Sequence, residues 1–208
     1  MAIQSYKLGP GTLKLNVSRI VPIATTNAST TITATAATFI SGDVGVPISG
    51  VGIPVGATIT AVVSPFQATI SAAATATGTP SATITPAAVT DASCQVKSCK
   101  VTPSEVVTSS DAVPLLCGED LPAEDEVTGY TYVLAANLLQ DISTGGFIAF
   151  TWTNKGKTVW AEFIPNTVLG KKVTGPVRIV PLEIGGDVKT RPTHDINWAM
   201  PTVQPTFS

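Results

Sequence analysis

"GVPISGVGIPVGATITAVVSPFQATISAAATATGTPSATIT" occupies residues 45–85 and carries no charged side chain. Widening the window to residues 20–90 adds a single charge, Asp43. Inside this block, short runs of alternating residues are separated by glycine and proline. Residues 30–36 read TTITATA, 58–63 TITAVV, 68–71 ATIS and 82–85 ATIT. Gly45, Gly50, Gly52, Pro54, Gly56, Gly78 and Pro80 punctuate them. Period-two runs bounded by turn residues read as strands, here five or six of them. Neutral Ala/Thr/Ser tracts are also the composition of disordered linkers. Against that, Ile32, Phe39, Ile40, Val44, Ile48, Ile53, Ile59, Val62, Ile70 and Ile84 recur at strand spacing. They suffice for a small core, so the block is expected to be a separate all-β unit.

The flanking segments have a different composition. Residues 1–19 and 91–208 hold nearly all the charge and all three tryptophans. Leu13, Leu15 and Val17 alternate with Lys14, Asn16 and Ser18, as in a half-buried strand. A second strand region begins near Cys94. An insertion into a loop needs its ends close together, which neighbouring strands supply. The expected organisation is therefore a host domain of residues 1–20 and 91–208, interrupted by an inserted domain of residues 21–90.

In the host segment, Val96 and Val101 fall on opposite phases, which predicts a bulge near Ser98. Residues 108–126 are polar and acidic and read as a long loop or open hairpin. Residues 130–134 read as a strand with Tyr130, Tyr132 and Leu134 on one face. Residues 137–143 (NLLQDIS), stopping at Gly145-Gly146, predict a short helix. Residues 147–153 and 158–164 read as a hairpin turning at Asn154-Lys155-Gly156, with edges open to a neighbour's strand. Residues 172–181 and 197–203 read as further strands. The fold class is all-β with one short helix: a β-sandwich or barrel carrying a small inserted all-β domain.

Across the whole chain, charged residues make up 12%, against about 25% in typical soluble domains. The formal net charge of −2 gives no grip on nucleic acid or membrane. No run reaches the roughly 18 apolar residues of a membrane span. The start, MAIQSYKLGPG, lacks an apolar signal region and reads as mature sequence. Cys94, Cys99 and Cys117 form no CxxC pair, which points to reduced thiols and away from a zinc site.

Nothing predicts catalysis. The single histidine, His194, stands beside Asp195, but no GxSxG elbow accompanies it. No phosphate-binding GxxxxGK[ST] loop is present, and Gly185-Gly186-Asp187 reads as a turn. No EF-hand spacing organises the acids into a metal site. The expectation is a non-enzyme with no cofactor and no metal.

Five stretches in collinear order carry a resemblance: SYKLGPGTLKL (5–15), CKVTPSEVVTSSDAVPLLCGEDLPAEDEVTGYTYVLAANLLQDIS (99–143), FTWTNKGKTVWAEFIPNT (150–167), VTGPVRIVPLEIGGDVKTRP (173–192) and DINWAM (195–200). Together they resemble the major tail, or tail tube, proteins of long-tailed actinobacteriophages of the siphovirus type. The resemblance implies a β-sandwich with a flanking helix. Copies would form six-membered rings that stack into a tube, with their inner strands joined in one barrel. It further implies a structural virion protein of the phage tail, assembled in the host cytoplasm. Its partners would be a tape-measure protein in the lumen and terminator and baseplate proteins at the ends. Double-stranded DNA would pass through on ejection without specific binding, and no membrane is involved. The neutral block departs from that pattern. Its GVGIPVGATITAVVS run resembles a segment of other phage structural and fibre proteins, so it is expected to be an outward decoration domain; the alternative is that it packs against neighbouring copies, which would hide its weakly polar surface.

Within the tube reading, the acids Glu119, Asp120, Glu124, Asp125 and Glu126 have two roles open to them besides that of a solvated loop. They could face the lumen and repel DNA phosphates, since a conduit must not bind its cargo. They could instead pair with Lys171, Lys172 or Lys189 of the next ring and set its register. The competing reading is a capsid decoration or receptor-binding fibre module, which the neutral block alone would suit.

Overall fold

In the strand Thr12–Leu15, Leu13 and Leu15 are buried while Thr12 and Lys14 are half-exposed, the period-two pattern of a one-sided strand. This strand, β1, opens a mostly β architecture in the computed structural model, which describes residues 9–109, 113–114, 120–121, 125–186, 190–201 and 205–208. Next come β2 (Arg19–Pro22), β3 (Ala24–Thr25) and β4 (Thr31–Thr33), then a 3-10 turn at Ser41–Asp43. β5 (Ile48–Gly50), β6 (Ile59–Ser64), β7 (Gln67–Ile70) and β8 (Ser81–Ile84) complete the neutral block, and β9 (Thr90–Asp91) leaves it. The remainder is β10 (Val96–Ser109), β11 (Val113–Pro114), β12 (Asp120–Leu121), β13 (Asp125–Leu139), helix α1 (Phe147–Thr153), β14 (Thr158–Ile164), β15 (Val173–Arg178), β16 (Thr193–Met200) and β17 (Thr206–Phe207).

Two antiparallel sheets face each other outside the neutral block. One has the order β17-β15-β14-β1-β9, the other β10-β13-β16. Leu13, Leu15, Val159, Ala161 and Val177 from the first meet Leu134, Ala136, Leu138, Ile196, Trp198 and Met200 from the second. Helix α1 adds Phe147 and Ile148 to this core. Among the described residues the sheets stay open, so of the two expected architectures the sandwich is the one formed.

The neutral block contributes its own two sheets, β2-β8-β5 and β3-β4-β7-β6. A second hydrophobic cluster lies within it, built on Ile23, Ile32, Phe39, Ile48, Ile59, Ile70 and Ile84. Each fully buried Ile contributes about 1.5–3 kcal/mol relative to exposure, so a folded unit is formed here and a disordered linker is not. The chain leaves β1 and returns in β9, which pairs with it (Leu15 opposite Thr90). Asn16, in the left-handed region at φ 60°, donates from Nδ2 to the Ala88 carbonyl at 2.8 Å and ties the two crossings together.

The bulge expected near Ser98 is present as a register shift between Val96 and Ser98. Four other expectations are corrected. The helix is at Phe147–Thr153, where a strand was expected; Phe147, Ile148 and Thr151 are buried, a spacing that suits one helical face. Thr151 Oγ1 donates to the Ile148 carbonyl and accepts from the Leu182 amide, while Trp152 Nε1 donates to the Leu182 carbonyl, so segment 179–182 claims this face. Conversely, Asn137–Leu139, expected to be helical, ends β13 against β16. Asp141 then makes a turn by accepting from the Ser143 amide and hydroxyl. Asn154-Lys155-Gly156 therefore links a helix to a strand, not two strands. Finally, β14 lies between β15 and β1, so it has no free edge and cannot take a neighbour's strand.

Candidate functional site

The segment read as a long loop or open hairpin, residues 108–126, joins β10 to β13; residues 110–112, 115–119 and 122–124 of it are outside the described residues. β10 and β13 pair from Val96 opposite Leu138 out to Ser109 opposite Asp125. β16 covers β13 only from Leu139 to Tyr132. Among the described residues, 125–131 therefore have no strand on that side. At roughly 3.4 Å per residue they form an arm projecting about 20 Å past the end of β16.

The side chains give this arm two unlike faces. Val101 opposite Leu134 lies on the core-facing side, where Leu134 is fully buried. Continuing outward on that side come Pro103 opposite Tyr132, Glu105 opposite Tyr130 and, after a register shift, Val107 opposite Val127. Val101 and Tyr132 still pack against the core. Farther out, Tyr130, Val107 and Val127 are 56%, 50% and 47% exposed. The stripe that begins as core thus runs into solvent uncovered. The opposite face is hydroxyl-rich: Thr131 and Thr128 donate to the carbonyls of Ser104 and Val106. Strands β10 and β16 are the two outer strands of their sheet, with no further strand on either among the described residues.

The acids singled out from the sequence fall at the far end of this arm. Asp125 and Glu126 lie on β13, opposite Ser109 and Thr108, and Asp120 lies on β12, opposite Pro114. Glu119, Glu124 and Lys189 are outside the described residues, as is Cys117. Lys171 is exposed. Lys172 Nζ pairs with Glu162 of its own chain at 3.0 Å, so this lysine has an acid partner on β14 without recourse to a neighbouring ring.

Elsewhere, the histidine and aspartate paired in the sequence engage separate partners. His194 and Asp195 are successive residues of β16 and point to opposite faces. His194 Nε2 lies 2.7 Å from Gln140 Nε2, which also donates to the carbonyls of Glu183 and Gly185. Asp195 instead accepts from Asn137 Nδ2 at 2.7 Å. A cavity of about 390 Å³ beside His194 is lined by residues 180–183 and 193–198, but no nucleophile aligned with the imidazole lines it. Burial pushes the Cys99 thiol up to about 12, so it carries no thiolate at neutral pH. No group of three or more His, Cys, Asp or Glu placed to hold a metal occurs among the described residues.

The sequence placed Tyr130 on the face of Tyr132 and Leu134 but did not extend that stripe to Val107 and Val127, nor single out a second cluster around Arg19. Arg19 is buried at the junction of the neutral block and the sandwich. Its Nη2 donates to Asp43 Oδ2 at 2.5 Å and to the Thr38 carbonyl at 3.1 Å. Its guanidinium carbon lies 5.0 Å from the ring centre of Trp160 on β14. A lone charge in an otherwise neutral block was the available signal. No protein-family model matches the chain, and no curated protein matches it.

Proposed function

We propose that this protein is a structural subunit that self-assembles into stacked rings, forming the tube of a siphovirus-type phage tail through which DNA is ejected. The observation that carries the reading is the arm: its apolar stripe has the phase of the sandwich core yet stands uncovered. A face of that kind is buried when a second copy supplies the missing layer. The outer strands β10 and β16 add a head-to-tail possibility. Joining one copy's β10 to the next copy's β16 makes a heterologous contact, which generates rings when the rotation closes. The resemblance of the five collinear stretches supplies the hexameric ring, the tape-measure, terminator and baseplate partners and the virion location. The neutral block is then an inserted domain on the outer wall.

The second reading, a capsid decoration or receptor-binding fibre module, is favoured by one feature: the neutral block has a core of its own and could serve as a binding domain. Negative-stain images of the purified protein separate the two. Stacked rings with an axial hole support the tube; isolated monomers or trimers support the module and sink the tube. A variant lacking residues 23–85 that still forms tubes would support an outer-wall position, and one that forms none would place the block in the lattice.

A further inference from the structure

We propose that the neutral block is held on the sandwich as one rigid body by two of its own elements, Arg19 of β2 over Trp160 and the turn Ser41–Asp43 on Thr158, with the Arg19–Asp43 pair as the pin that locks the two together. Asp43 is the only charged residue between positions 20 and 90, and it is buried at this junction. Its Oδ2 accepts from Arg19 and also from the Ile40 amide at 2.9 Å, closing the 3-10 turn Ser41–Asp43. That turn meets the sandwich directly. Ser41 Oγ accepts from the Thr158 amide at 2.9 Å. Gly42 sits so close to the Thr158 carbonyl that an added Cβ would fall well inside contact distance. Arg19 stacks over Trp160 from the other side, and the Val17 amide donates to the Trp160 carbonyl. Contacts from the first chain crossing and from the turn therefore converge on two residues of β14, Thr158 and Trp160.

A buried ion pair adds little net stability over an apolar pair of similar volume; its best attested use is to specify one geometry. The need for such specification is visible beside it. A cleft of about 430 Å³ separates Phe39, Val62 and Pro65 of the block from Thr158, Arg178 and Pro201 of the sandwich, so apolar contact alone leaves room to rock. Pro201 follows Met200, which lies opposite Tyr132 at the root of the arm. The pin thus fixes the block's angle at the end of the sandwich from which the arm leaves. The inference holds whether or not copies stack.

The test is the distance distribution between nitroxide labels at Val55 and Lys155, both exposed, by double electron–electron resonance. The labels are carried on the full chain with its native cysteines replaced by alanine, diluted among unlabelled copies. The parent is expected to give one narrow distribution. Asp43→Asn and the apolar pair Arg19→Met with Asp43→Leu are expected to broaden it at least twofold, the latter with unchanged circular dichroism. Gly42→Val, which pushes against Thr158 and leaves the pin, is expected to shift the mean distance. A broad distribution in the parent overturns the proposal whether or not any variant folds. Folded pin variants as narrow as the parent overturn it equally.

Discussion

Phe147 of α1 stacks on Trp198 of β16, with ring centroids 5.9 Å apart and planes inclined by 22°. Both side chains are buried, so the one helix is fastened to the three-stranded sheet through an aromatic pair. Such pairs add roughly 0.5–1.5 kcal/mol beyond area burial, and the truncation of a buried Phe costs about 3–5 kcal/mol. Phe147→Ala is predicted to lower the unfolding free energy by that amount in urea titrations. Phe150→Ala, on a half-buried neighbour, is predicted to cost less. Equal losses would show that the stacking partner is not what holds the helix.

The strands with one buried face were legible in the sequence, because burial writes the period-two pattern: β1, β7 and β8 are examples. The helix was not. In residues 147–153, Ile148, Phe150 and Trp152 alternate like a strand, while Phe147, Ile148 and Thr151 fit a helix equally. Seven residues cannot separate the two periods, and the hydrogen bonds from segment 179–182 decide. The arm was legible in part, since residues 130–134 read as a strand with Tyr130, Tyr132 and Leu134 on one face. Its outer reach was not: residues 102–108 are exposed on both faces within one copy, so burial leaves only weak alternation there.

Lys172 and Glu162 form an ion pair with the lysine 41% exposed. Solvent screening limits such pairs to about 0–1 kcal/mol. A double-mutant cycle with Lys172→Met and Glu162→Gln is predicted to give a coupling energy under about 1 kcal/mol that falls as salt rises. A larger, salt-independent coupling would mean that the pair is buried in the functional state, as between stacked rings.

Two aspartates predict the acid response. The Ser93 hydroxyl bonded to Asp91, and the Ser143 hydroxyl bonded to Asp141, hold both carboxyls below the ordinary range. Their stabilisation is complete above the unfolded value of about 3.9 and is lost as pH falls through the lower folded value. Asp91→Asn and Asp141→Asn are each predicted to lower the melting temperature at pH 7, by a gap that closes as pH falls through the lowered folded value. A gap that stays constant with pH would contradict this.

The central claim is that a sister copy covers the arm's stripe. Tyr130, opposite Glu105 and solvent-facing within one copy, is the residue to interrogate. A photo-reactive benzoylphenylalanine at position 130 reads the contact directly, with mass spectrometry locating the product. The account predicts a covalent product of two chains, extending to a ladder, with position 130 joined to a different copy of this protein. Irradiation that yields only single chains, in a preparation concentrated enough to assemble, would contradict it.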